Sequence, residues 1–234
     1  EQHFLLWFLL VVLMAQMILL WVGRWYKNAL EFYRRGPKEV IVLPGLSQRR
    51  IKISVGILLI LIFSKYFYTA GIISYFQFYT IGKFGLSEVQ AQVYLFYFLI
   101  ASALGTLLGG IFGDRIGRKY IIWFSILGAA PFALMLPHVG LQATAVLIVL
   151  IGLIISSAFP AILVYAQELM PRKIGTISGL FYGFAFGMGG LGSAVLGYIA
   201  DISSITYVYQ LCAFLPLIGL IAYFLPDLKK LQAQ

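Results

Sequence analysis

Long runs without any charged side chain are the feature that most limits what this sequence can fold into. No Asp, Glu, Lys or Arg occurs from Val89 to Gly113 or from Tyr120 to Pro137. An apolar helix of about 18 residues or more can cross the hydrocarbon core of a bilayer, which is roughly 30 Å thick. The chain is 62% hydrophobic and 11% charged, whereas soluble domains average about 25% charged. We therefore predict an all-α integral membrane protein.

Seven spanning helices are predicted, together with one long hydrophilic segment. The helices are expected at about 3–23, 53–80, 89–113, 119–137, 142–166, 175–200 and 206–225. Residues 24–52, between the first two, contain two Pro and eight basic residues and are predicted to form a linker on one membrane face. Ser87 and Gln90 predict a capping box that begins the third helix.

The basic residues indicate how the helices are oriented. All but two of the 17 Lys and Arg residues lie in the linker, in the turns at 114–119 and 168–173, or in the C-terminal tail. The exceptions are Lys65, inside a helix, and Lys83, at the opposite membrane face. Because cytoplasmic loops are enriched in Lys and Arg, these four segments and the C-terminus are predicted to be cytoplasmic. Topology thus explains the net charge of +9, and no nucleic-acid partner is expected.

The stretch GIFGDRIGRK, residues 110–119, separates two of the uncharged runs. It satisfies the pattern Gly-x-x-x-Asp-Arg-x-Gly-Arg-Lys at Gly110, Asp114, Arg115, Gly117, Arg118 and Lys119. Gly113 and Gly117 permit backbone angles that are closed to other residues. The bases are expected to hold the turn in the cytoplasm, and the acid can pair with them. An ordinary cytoplasmic loop is the alternative.

The complete pattern resembles the signature loop of the major facilitator superfamily, which joins the second and third helices of each six-helix half. The resemblance implies that these residues latch the two halves in one access state, and so gate transport without binding the substrate. A second stretch, AQELMPRKIGTISG at 166–179, is similar to the other short cytoplasmic loop of that superfamily. Its Glu168 is expected either to pair with Arg118 or to remain a solvated acid at a helix end.

Lys65 is the one charged residue far from the ends of a predicted helix, about 18 Å beyond Ile53 at 1.5 Å per residue. Placing a lysine at mid-membrane costs about 2.5–3.5 kcal/mol on insertion scales, so it is expected to face a polar cavity or a partner. Helical phase puts these candidate substrate-binding residues near its face: Tyr68, Thr69, Phe76 and Tyr79. Together they could hold a small anion. The alternative is a lysine packed against carbonyls, or against a carboxylate from helices outside this chain.

Glycines recur at regular steps in two predicted helices. Gly105 and Gly109 in the third helix, and Gly183, Gly187 and Gly190 in the sixth, are expected to let another helix backbone approach closely. GMGGLG at 187–192 also matches the dinucleotide pattern Gly-x-Gly-x-x-Gly. No strand precedes it and no acid follows about twenty residues later, so no cofactor is expected.

The third and sixth predicted helices end alike. Gly-x-x-x-Asp occurs at 110–114 at the cytoplasmic face and again at 197–201 at the outer face. An inverted repeat of three helices plus three would leave this pattern. Helices two to four and five to seven are therefore predicted to be inverted halves.

Residues for enzyme chemistry are few in the sequence. His3 and His138 have no Cys or carboxylate at ligand spacing, so no metal site is predicted. Cys212 is the single cysteine, which excludes a disulfide within the chain. No Asp or Glu lies inside a predicted helix. We therefore predict that the chain is not an enzyme.

Several stretches are similar to the fosmidomycin-resistance group of bacterial drug exporters. They include IFSKYFY (62–68), KFGLS (83–87), GDRIGRKYIIW (113–123), AQELMP (166–171) and SGLFYGFAFGMGGLGSAVLGYIAD (178–201). The resemblance implies a major facilitator-type bundle, with seven transmembrane helices of an incomplete twelve-helix transporter. Residues 1–23 would be the last helix of a truncated N-terminal half, 24–52 the cytoplasmic linker, and 53–234 the C-terminal six-helix transporter domain.

The resemblance also implies a function. It predicts proton-coupled efflux of small drugs or organic anions by alternating access, as an antiporter that confers antibiotic resistance in the bacterial inner (plasma) membrane. The expected partners are the substrate, protons, the lipid bilayer and the missing N-terminal half, which is expected to carry the proton-handling positions. The alternatives are a metabolite importer or exchanger of the same superfamily, or an inactive fragment.

Overall fold

The structure, a computed structural model, describes residues 12–26 and 46–229, and its regular elements within those ranges are all helical. Helix α1, Val12–Tyr26, belongs to a unit of its own and coincides with part of the first predicted helix. The start of that predicted helix and most of the predicted linker at 24–52 lie outside the described residues. The other helices belong to a second unit, which begins at Val42.

Within residues 46–229, six helical spans are long and apolar enough to cross a membrane. They are α2 Gln48–Phe84; α3 Glu88–Ile116; α4 Arg118–Leu127 with α5 Ala130–Met135; α6 Leu141–Ser156 with α7 Ala158–Leu169; α8 Ile174–Ile202; and α9 Ile205–Cys212 with a 3-10 helix Leu215–Phe224. The all-α membrane fold is confirmed, and each of these spans extends a predicted helix or matches its ends to within two residues.

Side-chain caps determine where two of the spans begin. Ser87 accepts a hydrogen bond from the Gln90 amide and its own amide donates to the Gln90 side chain, which confirms the predicted capping box. Ser47 accepts from the Arg50 amide in the same manner. Because this cap starts α2 at Gln48, three basic residues of the predicted linker, Arg49, Arg50 and Lys52, are helical.

Three spans are interrupted close to a proline, which lacks the amide that would continue the helix. The interruptions precede Pro131, Pro160 and Pro216. Hydroxyl groups provide hydrogen bonds beside two of them. The Ser157 hydroxyl donates to the Ile154 carbonyl at 2.6 Å, and Ser64 donates to the Leu215 carbonyl at 2.6 Å. Polar side chains inside the bundle thereby support irregular backbone at membrane depth, as lipid-embedded proteins require.

The spans pack in a symmetric pattern. The most extensive pairings are α2 with α8 and α3 with α6. Counted from α2, these are the first span with the fifth and the second with the fourth. If spans one, two and three are matched to spans four, five and six, the pair of the first and fifth spans corresponds to the pair of the fourth and second. This pattern agrees with the inverted repeat predicted from the Gly-x-x-x-Asp endings.

Close backbone contact accompanies the pairing of α3 with α6 and α7. A Cβ atom on Gly105 would overlap the Leu153 carbonyl, and one on Gly109 would lie 2.7 Å from the Ser157 Cβ. Neither glycine position therefore has room for a side chain. Helix α6 contributes Gly152 from its own side, where a Cβ would lie 2.8 Å from the carbonyl oxygen of Phe98.

The three glycines predicted to pack on α8 are placed differently. A Cβ at Gly183, Gly187 or Gly190 would meet nothing within 4 Å among the described residues. Close helix packing at these three positions is therefore not observed within the second unit. The reason is the rotation of α8 about its axis, which buries a different set of residues: Ile177, Phe181, Ala185, Gly192 and Leu196. The stripe of glycines lies beside that buried face and not on it.

Lys83 ties the end of α2 to a neighbouring turn. Its ammonium donates to the carbonyls of Pro137 and Val139 at 2.8 and 2.9 Å, and to the Tyr79 hydroxyl at 2.9 Å. The Tyr79 hydroxyl in turn donates to the Leu136 carbonyl at 3.1 Å. A residue predicted only to mark the outer face thus connects two spans.

Candidate functional site

The predicted gating loop forms a turn of one residue between two helices. Helix α3 ends at Ile116 and α4 begins at Arg118, with Gly117 between them at φ 116° and ψ 131°. A side chain is strained at that positive φ, so this position requires glycine. Gly113, the other residue expected to adopt special angles, is instead helical, as is Gly110.

Arg118 is the centre of a charged cluster at this turn. Its guanidinium donates to Asp114 Oδ1 at 2.9 Å and also to Glu168 Oε1. Of the two expectations for Glu168, the ion pair is the one observed. Exposed pairs contribute only about 0–1 kcal/mol each to stability. The consequence of the cluster is geometric, because a single side chain connects α3, α4 and α7.

The two other bases of the loop make separate contacts. The Lys119 ammonium lies 5.7 Å from the centroid of the Tyr223 ring, on the last span. The main-chain carbonyl of Arg115 accepts a hydrogen bond from Lys229 at 2.8 Å. Both contacts join the loop to the C-terminal end of the described chain.

Residues 226–229, here called the tail segment, rest against the same turn. The Tyr165 hydroxyl donates to the Pro226 carbonyl at 2.6 Å, and the Tyr120 hydroxyl donates to Asp227 Oδ2 at 3.2 Å. A cavity of about 150 Å³ lies between the turn, Tyr165, Glu168 and the tail segment. Sequence reasoning missed these contacts. The only available signal was an acid and a base directly after the last apolar run.

Lys65 is buried within α2, with 6% of its surface exposed. Its ammonium lies 4.7 Å from the centroid of the Tyr66 ring and 5.2 Å from that of Phe159, on α7. Within the described part of the second unit it has no hydrogen-bond or ion-pair partner. Ring faces attract a cation, so the charge is partly compensated, while its N–H donors remain available to an anion.

The residues expected to share the face of Lys65 are placed elsewhere. Tyr68, Phe76 and Tyr79 are at most 1% exposed and belong to an apolar cluster with α6 and α9. The hydroxyls of Tyr68 and Thr69 are buried without a hydrogen-bond partner among the described residues. The spacing of residues along α2 predicts which of them share a face, but it does not predict which neighbouring helix that face contacts. The ammonium's own neighbours, Tyr66 and Phe159, were therefore missed.

The side chains that could bind a metal ion are not grouped together in the described residues. Among residues 12–26 and 46–229, no three His, Cys, Asp or Glu side chains are grouped so that they could hold a metal ion. The described acids of the cytoplasmic turn are instead engaged with Arg118 and with the Tyr120 hydroxyl.

Comparison with known proteins places the chain among membrane transporters. The model of the Major Facilitator Superfamily matches residues 3–193 and 58–234. The chain is 58% identical over 221 residues to the fosmidomycin resistance protein of Escherichia coli (strain K12), covering 94% of this chain and 54% of that protein. It is 39% identical over 228 residues to YfnC, an uncharacterized MFS-type transporter of Bacillus subtilis (strain 168), covering 97% of this chain and 56% of YfnC.

The chain thus spans about half the length of the curated relatives it matches. The sequence match covers nearly all of this chain, including the six apolar spans and the turn at 110–119. The chain belongs to the Major Facilitator Superfamily and has its multi-pass membrane fold.

Proposed function

We propose that the protein exports small drugs or organic anions by alternating access, driven by inward proton flow. The observation that carries this proposal is the buried ammonium of Lys65 in a chain 58% identical to a protein named for fosmidomycin resistance. Fosmidomycin is a phosphonate, and an ammonium inside the bilayer is a natural site for such an anion. Lys65 is the proposed substrate contact.

The cytoplasmic turn has the proposed role of a gate. Arg118 binds carboxylates from α3 and α7, Lys229 joins the tail segment to the turn, and Tyr165 joins the tail segment to α7. Contacts that connect several spans at one membrane face stabilise one access state relative to the other. The proposed gating residues are Gly110, Asp114, Arg115, Gly117, Arg118, Lys119 and Glu168.

The proposed setting is the bacterial inner membrane, with this turn and the C-terminus in the cytoplasm. The excess of Lys and Arg in the segments around the turn supports this orientation. Residues 53–234 are proposed to be one six-helix half of a transporter that works together with a second half. Its role is transport and not enzymatic catalysis.

The test is substitution of Lys65 in the complete coding sequence, expressed in a drug-sensitive bacterium. Lys65→Gln is expected to abolish fosmidomycin resistance while membrane abundance stays normal, because the neutral amide no longer attracts the phosphonate. Lys52→Gln is the matched control, since Lys52 lies on the same helix and is exposed. Full resistance in the Lys65 variant would remove this residue from the site.

Transport direction needs a second measurement. Inverted membrane vesicles with an imposed proton gradient are expected to accumulate labelled fosmidomycin if the protein is an exporter. Loss of label from preloaded inverted vesicles would favour an importer of the same superfamily instead.

A further inference from the structure

Four aromatic rings from three helices form a continuous row that begins beside Lys65. The ring of Tyr66 on α2 meets that of Phe159 on α7, with centroids 5.5 Å apart and planes at 80°. Phe159 meets Tyr182 on α8 at 5.1 Å and 71°, and Tyr182 stacks on Phe186 at 6.4 Å and 17°. These four rings are called the aromatic row.

Exposure increases along the row. Lys65 is 6% exposed, Tyr66 and Phe159 are partly buried, and Tyr182 and Phe186 are 44% and 71% exposed. The row therefore leads from an open apolar end to a buried cation.

The open end of the row is not covered by another helix of the second unit. Gly183 and Gly187 directly follow Tyr182 and Phe186 on α8, and a Cβ at either glycine would meet nothing within 4 Å. The absence of side chains there leaves space next to the two outer rings.

Charge distinguishes the two kinds of molecule that fit against such rings. A lipid acyl chain could cover the aromatic row, but it would leave the Lys65 ammonium without an anion. A molecule that carries an anionic group and an apolar body would satisfy both ends, since the N–H donors bind the anion and the rings pack against the body.

We propose that Lys65 and the aromatic row form one binding groove for amphipathic anions. The anionic group, a phosphonate or carboxylate, binds the Lys65 ammonium, and a planar apolar body packs on Phe159 and Tyr182. This inference rests on the proposed function and narrows its substrate class, because the groove favours anions with an apolar body over anions without one. Tyr66 and Phe186 form the inner and outer ends of that contact.

The test compares two anions that differ only in the apolar body, phenylphosphonate and methylphosphonate. Binding is measured by calorimetry on the purified product of the complete coding sequence. Phenylphosphonate is expected to bind about tenfold more tightly than methylphosphonate, because its ring packs on the aromatic row. Tyr182→Leu and Phe159→Leu are each expected to weaken phenylphosphonate about 3- to 10-fold, because an aromatic contact is lost. Neither variant should change methylphosphonate binding more than about twofold.

Phe96→Leu is the matched control, since Phe96 is an exposed aromatic residue on α3, outside the row. Tyr182 is 44% exposed, so its variant tests the groove even if Phe159→Leu folds poorly. Unchanged phenylphosphonate binding in both row variants, with loss of both ligands in Lys65→Gln, would overturn the aromatic row and leave the proposed function intact. Unchanged binding of both ligands in Lys65→Gln would overturn the groove and the proposed substrate contact together.

Discussion

The contact between α3 and α6 predicts a measurable effect of one added methyl group. In Gly105→Ala the new Cβ would lie 2.8 Å from the carbonyl carbon of Leu153 and 2.9 Å from its Cα. Ordinary carbon contacts begin near 3.5 Å, and the Leu153 carbonyl oxygen lies closer still, so the two helices must separate by about 0.7 Å or more. Because the obstructing atoms are backbone, no side-chain rotation relieves the overlap.

The expected energy combines two opposing effects. Overpacking in a tight interior costs about 1–3 kcal/mol, while replacing glycine by alanine favours a helix by about 0.8–1.0 kcal/mol. Gly110→Ala is the matched control on the same helix, since its Cβ meets nothing within 4 Å. The gain in helix propensity is common to both variants, so their difference isolates the overlap at about 1–3 kcal/mol.

Thermal unfolding in detergent, followed by tryptophan fluorescence, measures this difference. For a domain of this size, 1 kcal/mol corresponds to a shift of about 2–4 °C. Gly105→Ala should therefore unfold about 2–12 °C below Gly110→Ala. Equal unfolding temperatures for the two variants would refute the close approach of α3 to the backbone of α6.

Two further predictions concern the ends of the spans. Arg118→Gln or Glu168→Gln should lower the proposed drug export about 5-fold or more, because each variant removes the ion pair that couples α4 to α7. The exchanged pair, Arg118→Glu with Glu168→Arg, should recover part of the activity, and an exchanged pair as inactive as the single variants would argue against the ion pair. Lys83→Met should increase amide hydrogen exchange around 136–139 about tenfold or more, since hydrogen bonds from a charged donor are worth about 1.5–3 kcal/mol. Unaltered exchange there would show that Lys83 does not hold the turn.

Features that depend on neighbouring residues in the sequence were predictable. The spans follow from apolar runs, and the cap at Ser87 follows from residues three apart. The Arg118–Glu168 pair was one of two expectations, because the turn and the second loop were both assigned to the same membrane face.

Features that depend on which helices meet were not predictable in the same way. Helical phase identifies residues on one side of α2, but it does not say that Phe159 from α7 lies over Lys65. The regular glycines of α8 likewise suggested a packing face, whereas the helix buries Phe181, Ala185 and Gly192. In lipid, apolar side chains on every face of a helix are compatible with the surroundings, so the sequence pattern marks the buried side only weakly.

The contact between Lys229 and Arg115 has a consequence for biosynthesis. The two residues are 114 positions apart in the chain. At about 5–20 residues per second, the ribosome reaches Lys229 roughly 6–23 s after Arg115. During that interval the Arg115 carbonyl has no Lys229 to accept a hydrogen bond from, and it can instead accept one from water at the membrane surface. The nascent turn therefore gains its hydrogen bond from Lys229 only after the following four spans have been translated.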